Sequence, residues 1–267
     1  MSEPASEKLA SARNLLRIVR QETDTIGVAV SFGKDSLATL DLCRQLFARV
    51  EVYYLFRVRE MEIVASWAAD VRRRFGVAVR MYPHFDLSRL YRHAVLQPHW
   101  NGLDRAPRIK LPDIERAFRR DAQVDWIALG WRRNDSRSRA IIMKQCGGFD
   151  GKSRRVFPLR SWRRAEVLAY LASRNIPVPP SLGRKEQGGL DFHAAALAEL
   201  KTLHPADWQR WLQDFPFADS RLTQIAPSDR DDTAPVAPAS PATPAASTKA
   251  PRQTGRRPPM AAPHPAG

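Results

Sequence analysis

Cysteine is scarce in this chain: Cys43 and Cys146 are the only two among its 267 residues. Two cysteines with no metal-ligand spacing around them exclude a disulfide framework, a cysteine-rich zinc site and an iron–sulfur cluster held by cysteines alone. Cys43 falls in the apolar pattern of a helix, so we expect it to be a core residue.

Long apolar stretches are also missing. No segment is apolar over the length needed to cross a bilayer, and the amino-terminal segment carries acids in place of a signal-peptide core. We therefore expect a cytoplasmic protein with no membrane partner.

Negative charge is in short supply as well, with 28 Asp and Glu residues against 43 Lys and Arg residues and a formal net charge of +15. Such a balance favours a polyanionic partner, either nucleic acid or nucleotide phosphates, and does not choose between them.

Aromatic residues are absent from residues 226–267, which are rich in proline and alanine. Such a segment cannot bury enough apolar surface to offset the entropy of ordering it. The composition predicts a folded domain over residues 1–225, with a helical C-terminal part over about 183–225, followed by a disordered tail over residues 226–267.

Within the predicted domain, apolar runs alternate with amphipathic helical patterns. This alternation predicts an α/β fold with a doubly wound, mostly parallel sheet and helices on both faces. The predicted strands are 27–31, 50–56, 77–82 and 125–130. The predicted helices are 7–21, 35–48, 60–75, 113–121, one starting at Ser161 and leading into residues 166–175, 192–203 and 205–214.

The first strand and helix are joined by an unusual turn within the stretch GVAVSFGKDSLATL, residues 27–40. In open α/β sheets, ligands bind beyond the carboxyl ends of the strands, where a helix start presents free N–H groups. Gly33 would permit a tight turn, Ser31 and Ser36 offer hydroxyl donors, and Lys34 offers a positive charge. The turn is neither a Walker loop nor a dinucleotide fingerprint, because their glycine spacings are missing.

Asp35 does not suit a phosphate site unless it caps the helix or holds a Mg²⁺ ion that bridges phosphate oxygens. We therefore predict Asp35 as the metal ligand of this turn.

A second stretch, DWIALGWRRNDSRSRAIIM at residues 125–143, follows the last predicted strand with a run of arginines. We expect them to converge on the same sheet edge as the turn, where planar guanidinium groups suit phosphate or sulfate. Trp131, beside them, is a candidate for stacking on a base. The histidines His84, His93 and His99 have irregular spacing, so we expect scattered polar side chains and not metal ligands.

The sequence Ser31-Phe32-Gly33-Lys34-Asp35-Ser36 resembles the pyrophosphate loop of the adenine-nucleotide α-hydrolase superfamily, which often has a second glycine where Phe32 stands. The resemblance implies binding of ATP and cleavage between its α and β phosphates.

Two later motifs resemble the phosphoadenosine-phosphosulfate (PAPS) reductase family, which includes the small subunit of bacterial sulfate adenylyltransferase. The matching residues are Gly130, Arg132, Arg133, Ser138 and Arg139, and then Pro158, Leu159, Trp162, Ile176 and Pro177.

The chain also departs from that family. Thioredoxin-linked reductases carry a catalytic cysteine where this chain has Glu186-Gln187-Gly188, and the turn looks closer to that of the sulfate adenylyltransferase type. After the second strand, many relatives have an Asp-Thr-Gly-like turn, whereas Arg57 stands here, so we expect substrate handling at that edge to differ.

The resemblance implies an ATP pyrophosphatase or adenylyltransferase acting with Mg²⁺ on an unidentified anionic acceptor. The implied catalytic residues are Lys34, Asp35, Arg132 and Arg133. The implied nucleotide-binding residues are Ser31, Phe32, Gly33, Lys34, Asp35, Ser36, Gly130, Arg137 and Arg139.

Three alternatives stay open from the sequence. One is a sulfonucleotide reductase that uses Cys146 as an atypical thiol. Another is a nucleotide-sensing or nucleic-acid-binding regulator without turnover. The third is a site that a partner subunit completes.

Overall fold

The computed structural model describes residues 3–98, 105, 107–179 and 190–223. The predicted tail over residues 226–267, together with His99 and residues 186–188, lies outside these ranges, and those expectations stay predictions. The strands are β1 (Thr25–Val30), β2 (Arg49–Phe56), β3 (Val79–Pro83), β4 (Ile127–Ala128), β5 (Phe149–Asp150) and β6 (Arg155–Val156).

Helices occupy most of the remaining described chain. They are α1 (Glu3–Glu22), α2 (Lys34–Leu46), α3 (Glu62–Phe75), α4 (Asp86–Arg92), α5 (Leu111–Ala122), α6 (Arg137–Cys146), α7 (Arg164–Ser173), α8 (Ala194–Leu203), α9 (Pro205–Asp214) and α10 (Asp219–Leu222). A single 3₁₀ turn, Arg133–Asp135, precedes α6.

The strands form one sheet in the order β3-β2-β1-β4-β6-β5, in which every neighbouring pair is parallel except β5 and β6. The chain builds outward from β1 to β3 on one side and then returns to place β4 on the other side of β1. The strand order therefore reverses between β1 and β4, which is where open α/β sheets leave a crevice for ligands.

Both faces of the sheet are buried. Val52 and Tyr54 of β2 lie in one apolar cluster, while Tyr53 lies in the cluster on the opposite face with Phe118 of α5. This alternation follows from the two-residue period of a strand, and it requires helices on each side. The predicted doubly wound, mostly parallel α/β fold is confirmed.

Most predicted elements lie within two or three residues of the observed ones, but the predicted strand 125–130 shortens to β4 and the short strands β5 and β6 were not predicted. The prediction that a helix starts at Ser161 is wrong, because α7 begins at Arg164. The Glu166 carboxylate accepts the backbone N–H of Arg163 at 2.6 Å, so an acid in the first turn holds the start without a serine.

Helix α6 was also not predicted from the sequence, which shows only a run of arginines there. Ser136 caps this helix, since its Oγ accepts the backbone N–H of Arg139 at 3.2 Å. At the other end, Gly147 adopts a left-handed conformation with φ of 61°. Because successive residues of a helix point to different sides, the arginines of this run do not all face the same way.

The helices after residue 190 are attached to the sheet domain by a buried carboxylate. Asp207 of α9 accepts the backbone N–H of Glu62 at 2.6 Å and that of Ile63 at 2.9 Å, so it caps α3 from another part of the chain. Among the described helices, none has the length and apolar character that crossing a membrane requires.

Candidate active site

The β1–α2 turn, residues 31–36, lies at the point where the strand order reverses. Ser36 braces it, because its Oγ donates to the Gly33 carbonyl at 2.9 Å and accepts the Ser31 backbone N–H at 3.2 Å. The hydroxyl of Ser36 is therefore used within the turn, whereas Ser31 is exposed at its rim. The first N–H groups of α2 have no acceptor within the helix, and they carry the positive end of its dipole.

The backbone of this turn corrects the role expected for Gly33. Gly33 has φ of −80°, which any residue adopts, whereas Phe32 has φ of 60° in the left-handed region. The Phe32 side chain is 3% exposed and packs against Tyr54 and Trp67, with ring centroids 4.9 and 5.6 Å away. Its ring is thus part of the core and does not enter the site.

Gly130, just beyond β4, begins the segment of residues 130–139, which we call the arginine segment. At Gly130 this segment packs directly against the β1–α2 turn. A Cβ atom at this position would lie 2.8 Å from both the carbonyl carbon and the carbonyl oxygen of Asp35, and 3.1 Å from the backbone nitrogen of Ser36. Only a glycine allows this approach without moving the turn.

Side chains of alternating charge connect the β1–α2 turn to the arginine segment. Lys34 Nζ lies 3.1 Å from Asp35 Oδ2, and Arg132 Nε lies 3.0 Å from Asp35 Oδ1. The second contact is an ion pair without hydrogen-bond alignment, because neither atom makes a hydrogen bond to any described residue.

Asp135 of the 3₁₀ turn holds two arginines and continues this row of charges. Arg132 Nη2 donates to one carboxylate oxygen at 2.8 Å, and Arg139 Nη1 donates to the other at 2.7 Å. Asp135, which the sequence analysis did not single out, therefore orients both guanidinium groups. Its sequence signal was its spacing of three and four residues from the two arginines.

A cleft of about 500 Å³ opens over these groups. The predicted site residues that line it are Ser31, Gly33, Lys34, Asp35, Ser36, Gly130, Arg132 and Arg139. Three predicted residues do not: Phe32 is in the core, and Arg133 and Arg137 are exposed away from the cleft. Arg133 instead borders a second cavity of about 550 Å³ alongside α6.

Trp131 lines the cleft, but its ring is already engaged. It stacks on Phe157 with centroids 5.5 Å apart, and the Arg139 guanidinium carbon lies 4.8 Å from its centroid. The expectation that Trp131 stacks on a base stays a prediction. Stacking would require the side chain of Arg139 or Phe157 to move off the Trp131 ring.

Arg57 and His84, beyond β2 and β3, line the opposite end of the cleft. Arg57 Nη1 donates to the Leu190 carbonyl at 2.7 Å, and His84 stacks on Phe85 with centroids 4.3 Å apart. Burial, together with the charge of Arg57, lowers the pKa of His84 to about 4 against the opposing effect of Asp86, so the imidazole is neutral at pH 7. Arg57 was expected from the sequence only as a departure from the family pattern, without a role in the site.

Neither cysteine of the chain lines the cleft. Cys43 is fully buried in α2, where burial raises the pKa of its thiol. Cys146 is the last residue of α6, about 10 Å along the helix axis from Arg139, which lines the cleft.

The described residues contain no group of three or more metal-ligating side chains. Asp35 has one oxygen that makes no hydrogen bond, and Mg²⁺ in nucleotide sites is often held by one or two carboxylates together with phosphates. The donor set therefore fits Mg²⁺ only when a nucleotide supplies further oxygens.

A family model described as the phosphoadenosine phosphosulfate reductase domain matches residues 25–185, which include both the β1–α2 turn and the arginine segment. Among solved structures, the chain is similar to the crystal structure of phosphoadenylyl-sulfate (PAPS) reductase from Candida auris in a phosphate complex. That match has a TM-score of 0.42 and 15% sequence identity, and it covers 67% of this chain and 89% of the other. No curated protein matches significantly.

Proposed function

The chain belongs to the phosphoadenosine phosphosulfate reductase domain family, and from that premise we propose that the cleft binds an adenine nucleotide with its pyrophosphate group at the β1–α2 turn. The free N–H groups at the start of α2 would donate to phosphate oxygens. Lys34 adds a full positive charge beside them, and Gly130 leaves room for the turn to keep its shape.

We further propose that the nucleotide is ATP and that the bond between its α and β phosphates is cleaved, with adenylyl transfer to an acceptor and release of pyrophosphate. Lys34 and Arg132 would stabilise the charge that develops on the leaving pyrophosphate, and Arg139 would bind the adenylyl phosphate or the acceptor. Each of these cations now faces a carboxylate, so phosphate oxygens would take the places of Asp35 and Asp135.

Asp35 would hold a Mg²⁺ ion through the carboxylate oxygen that makes no hydrogen bond to a described residue. When bound with the nucleotide, the ion supplies charge neutralisation at the phosphates. Asp35 would then exchange Arg132 for the metal, which frees the guanidinium group for the substrate.

One observation carries the choice of ATP cleavage over sulfur chemistry: four cations, Lys34, Arg57, Arg132 and Arg139, line the cleft and neither cysteine does. Thiol-dependent reduction of a sulfonucleotide needs a thiolate that can reach the sulfur atom. Cleavage of ATP requires positioning and positive charge, which the described cleft contains.

The experiment is pyrophosphate release from ATP and Mg²⁺, with sulfate and nucleic acids among the acceptors, in the wild type and in Lys34→Ala. We expect the substitution to reduce release and nucleotide affinity at least about a hundredfold, because it removes a buried charge from the phosphate site. Lys152→Ala, an exposed lysine outside the cleft, is the matched control. Equal ATP affinity in Lys34→Ala and the wild type would overturn the site assignment.

The family match itself favours a second candidate, reduction of a sulfonucleotide. Cys146 is the only partly exposed thiol of the chain, so this reaction would depend on it. Reduction of PAPS or adenosine phosphosulfate by a thiol reductant, present in the wild type and lost in Cys146→Ser, would replace the ATP proposal. Nucleotide binding without pyrophosphate release or reduction would instead favour a regulator or a site completed by a partner subunit.

A further inference from the structure

The end of the cleft formed by β2 and β3 has its own polar groups. Arg57 follows β2 and His84 follows β3, and their side chains are 19% and 13% exposed. Neighbouring strands lie about 4.8 Å apart, so the end of β3 is roughly 10 Å from the β1–α2 turn across the sheet edge. A group bound here would therefore be separate from a pyrophosphate bound at the turn.

The hydrogen bonds of His84 fix which ring nitrogen carries its proton. Nδ1 accepts the backbone N–H of Asp86 at 3.1 Å, so Nδ1 has no proton. The imidazole is neutral, and the single ring proton must therefore be on Nε2.

This tautomer places two donors against each other. Nε2–H of His84 lies 3.2 Å from Nη2 of Arg57, which also has only hydrogens to offer. The Asp86 carboxylate does not resolve the contact, because its nearest oxygen is 3.8 Å from Nη2 of Arg57 and 3.6 Å from Nδ1 of His84. Among the residues that the structure describes, no acceptor atom faces both donors.

We propose that Arg57 and His84 together bind an anionic oxygen group of a substrate, a carboxylate, sulfate or phosphate, in a subsite separate from the β1–α2 turn. An oxygen about 2.9 Å from both nitrogens would satisfy the two donors at once. Arg57 keeps further N–H groups for a second oxygen, since Leu190 takes only one of its five. The inference rests on the proposed binding of a nucleotide in the same cleft.

The anionic group has two sources, a separate acceptor molecule or a second phosphate on the nucleotide itself. The first arm of the test titrates sulfate into the full-length protein saturated with α,β-methylene-ATP, which occupies the turn and cannot be cleaved at the α–β bond. The second arm compares the affinities of adenosine 3′,5′-bisphosphate and AMP. Both arms use the wild type and Arg57→Gln.

We expect Arg57→Gln to weaken sulfate binding, or to remove the advantage of the bisphosphate over AMP, by about tenfold or more, because a charged hydrogen bond is lost. The first result assigns the subsite to an acceptor and the second to the nucleotide. Unchanged values in both arms would overturn the inference.

Arg59→Gln is the matched control, because Arg59 is an exposed arginine two residues away that lies outside the cleft and faces the Phe56 ring. His84→Phe removes the Nε2 donor while keeping an aromatic ring against Phe85, and we expect it to weaken anion binding as well. This second variant keeps the test decisive if Arg57→Gln folds poorly.

The outcome is distinguishable from failure of the proposed function. If α,β-methylene-ATP does not bind to the wild type, the nucleotide proposal is wrong. Sulfate binding is then measured in the absence of the nucleotide analogue. Sulfate binding that depends on Arg57 would still support the subsite, and sulfate binding that does not would contradict it.

Discussion

The two ends of the cleft satisfy their cations in opposite ways. At the β1–α2 turn, Lys34, Arg132 and Arg139 are each paired with Asp35 or Asp135. At the β2–β3 end, Arg57 faces another donor, and the nearest carboxylate among the described residues is 3.8 Å away.

This difference distinguishes the two proposed binding sites. The turn end is held in shape by its own ion pairs and by close backbone packing, so a ligand must exchange with groups already present. In the described part of the chain, the β2–β3 end has donors placed without an acceptor, so the proposed ligand would complete it. Variants that disturb one end and spare the other test this contrast.

The largest expected effect is on the turn end, at Phe32. Phe32→Ala should lower the free energy of unfolding by about 3–5 kcal/mol, because it empties a buried aromatic site. Phe32→Gly should cost about 1 kcal/mol less, although it removes more atoms, because glycine adopts φ of 60° without strain. Urea denaturation of both variants measures the order, and an alanine variant as stable as the glycine variant would contradict the backbone argument.

The next largest effect at the turn end is expected for Gly130→Ala. The added methyl group would meet the Asp35 backbone at 2.8 Å, so we expect a loss of about 1–3 kcal/mol in unfolding free energy and weaker nucleotide binding. Gly151→Ala is the control, because its methyl group would meet only Phe149, at an ordinary 3.6 Å. Equal effects of the two substitutions on nucleotide affinity would show that the close approach does not matter.

At the β2–β3 end, the expected signature is a pH dependence of stability. The unfolded state protonates histidine below pH about 6.5, whereas folded His84 does so only near pH 4. The unfolded state therefore binds more protons in that window, and stability should fall by on the order of 3 kcal/mol as the pH drops through it. His84→Phe should lack this component when unfolding is measured from pH 7 to pH 4, and identical pH profiles would contradict a neutral His84.

The smallest expected effect tests whether the ion pairs of Asp135 stabilise the turn end. Asp135→Ala should lower the unfolding free energy by about 1–2 kcal/mol, because Arg132 and Arg139 lose charged hydrogen bonds to a carboxylate that is 10% exposed. Asp125→Ala, at a carboxylate that is 74% exposed, should change stability by less than about 0.5 kcal/mol. Equal urea midpoints for the two variants would argue against an orienting role for Asp135.

The β1–α2 turn itself could be predicted from the sequence because its residues are contiguous. Residues 31–36 form one short motif between an apolar strand and an amphipathic helix, and both elements are recognisable from their periodicity. The fold class follows from the same alternation. The strands β5 and β6 have two residues each, which is too short for any periodic signal.

Other features depended on geometry that the sequence does not encode locally. Arg133 matches the arginine motif and Arg137 lies within the same run, yet the 3₁₀ turn and α6 place both outside the cleft lining. Arg57 and His84 lie 27 residues apart and meet only because β2 and β3 are neighbours in the sheet. The left-handed residue is Phe32, where composition had pointed to Gly33, since a buried ring offsets the backbone cost.

The carboxylates of Asp35 and Asp135 act as counterions that are tethered to the protein. A phosphate that binds Lys34, Arg132 or Arg139 displaces these fixed counterions and releases few salt ions to the solvent. The entropy of counterion release, which makes most polyanion binding sensitive to ionic strength, is then largely absent. Nucleotide binding at the turn should consequently tolerate salt better than the number of cations in the cleft suggests.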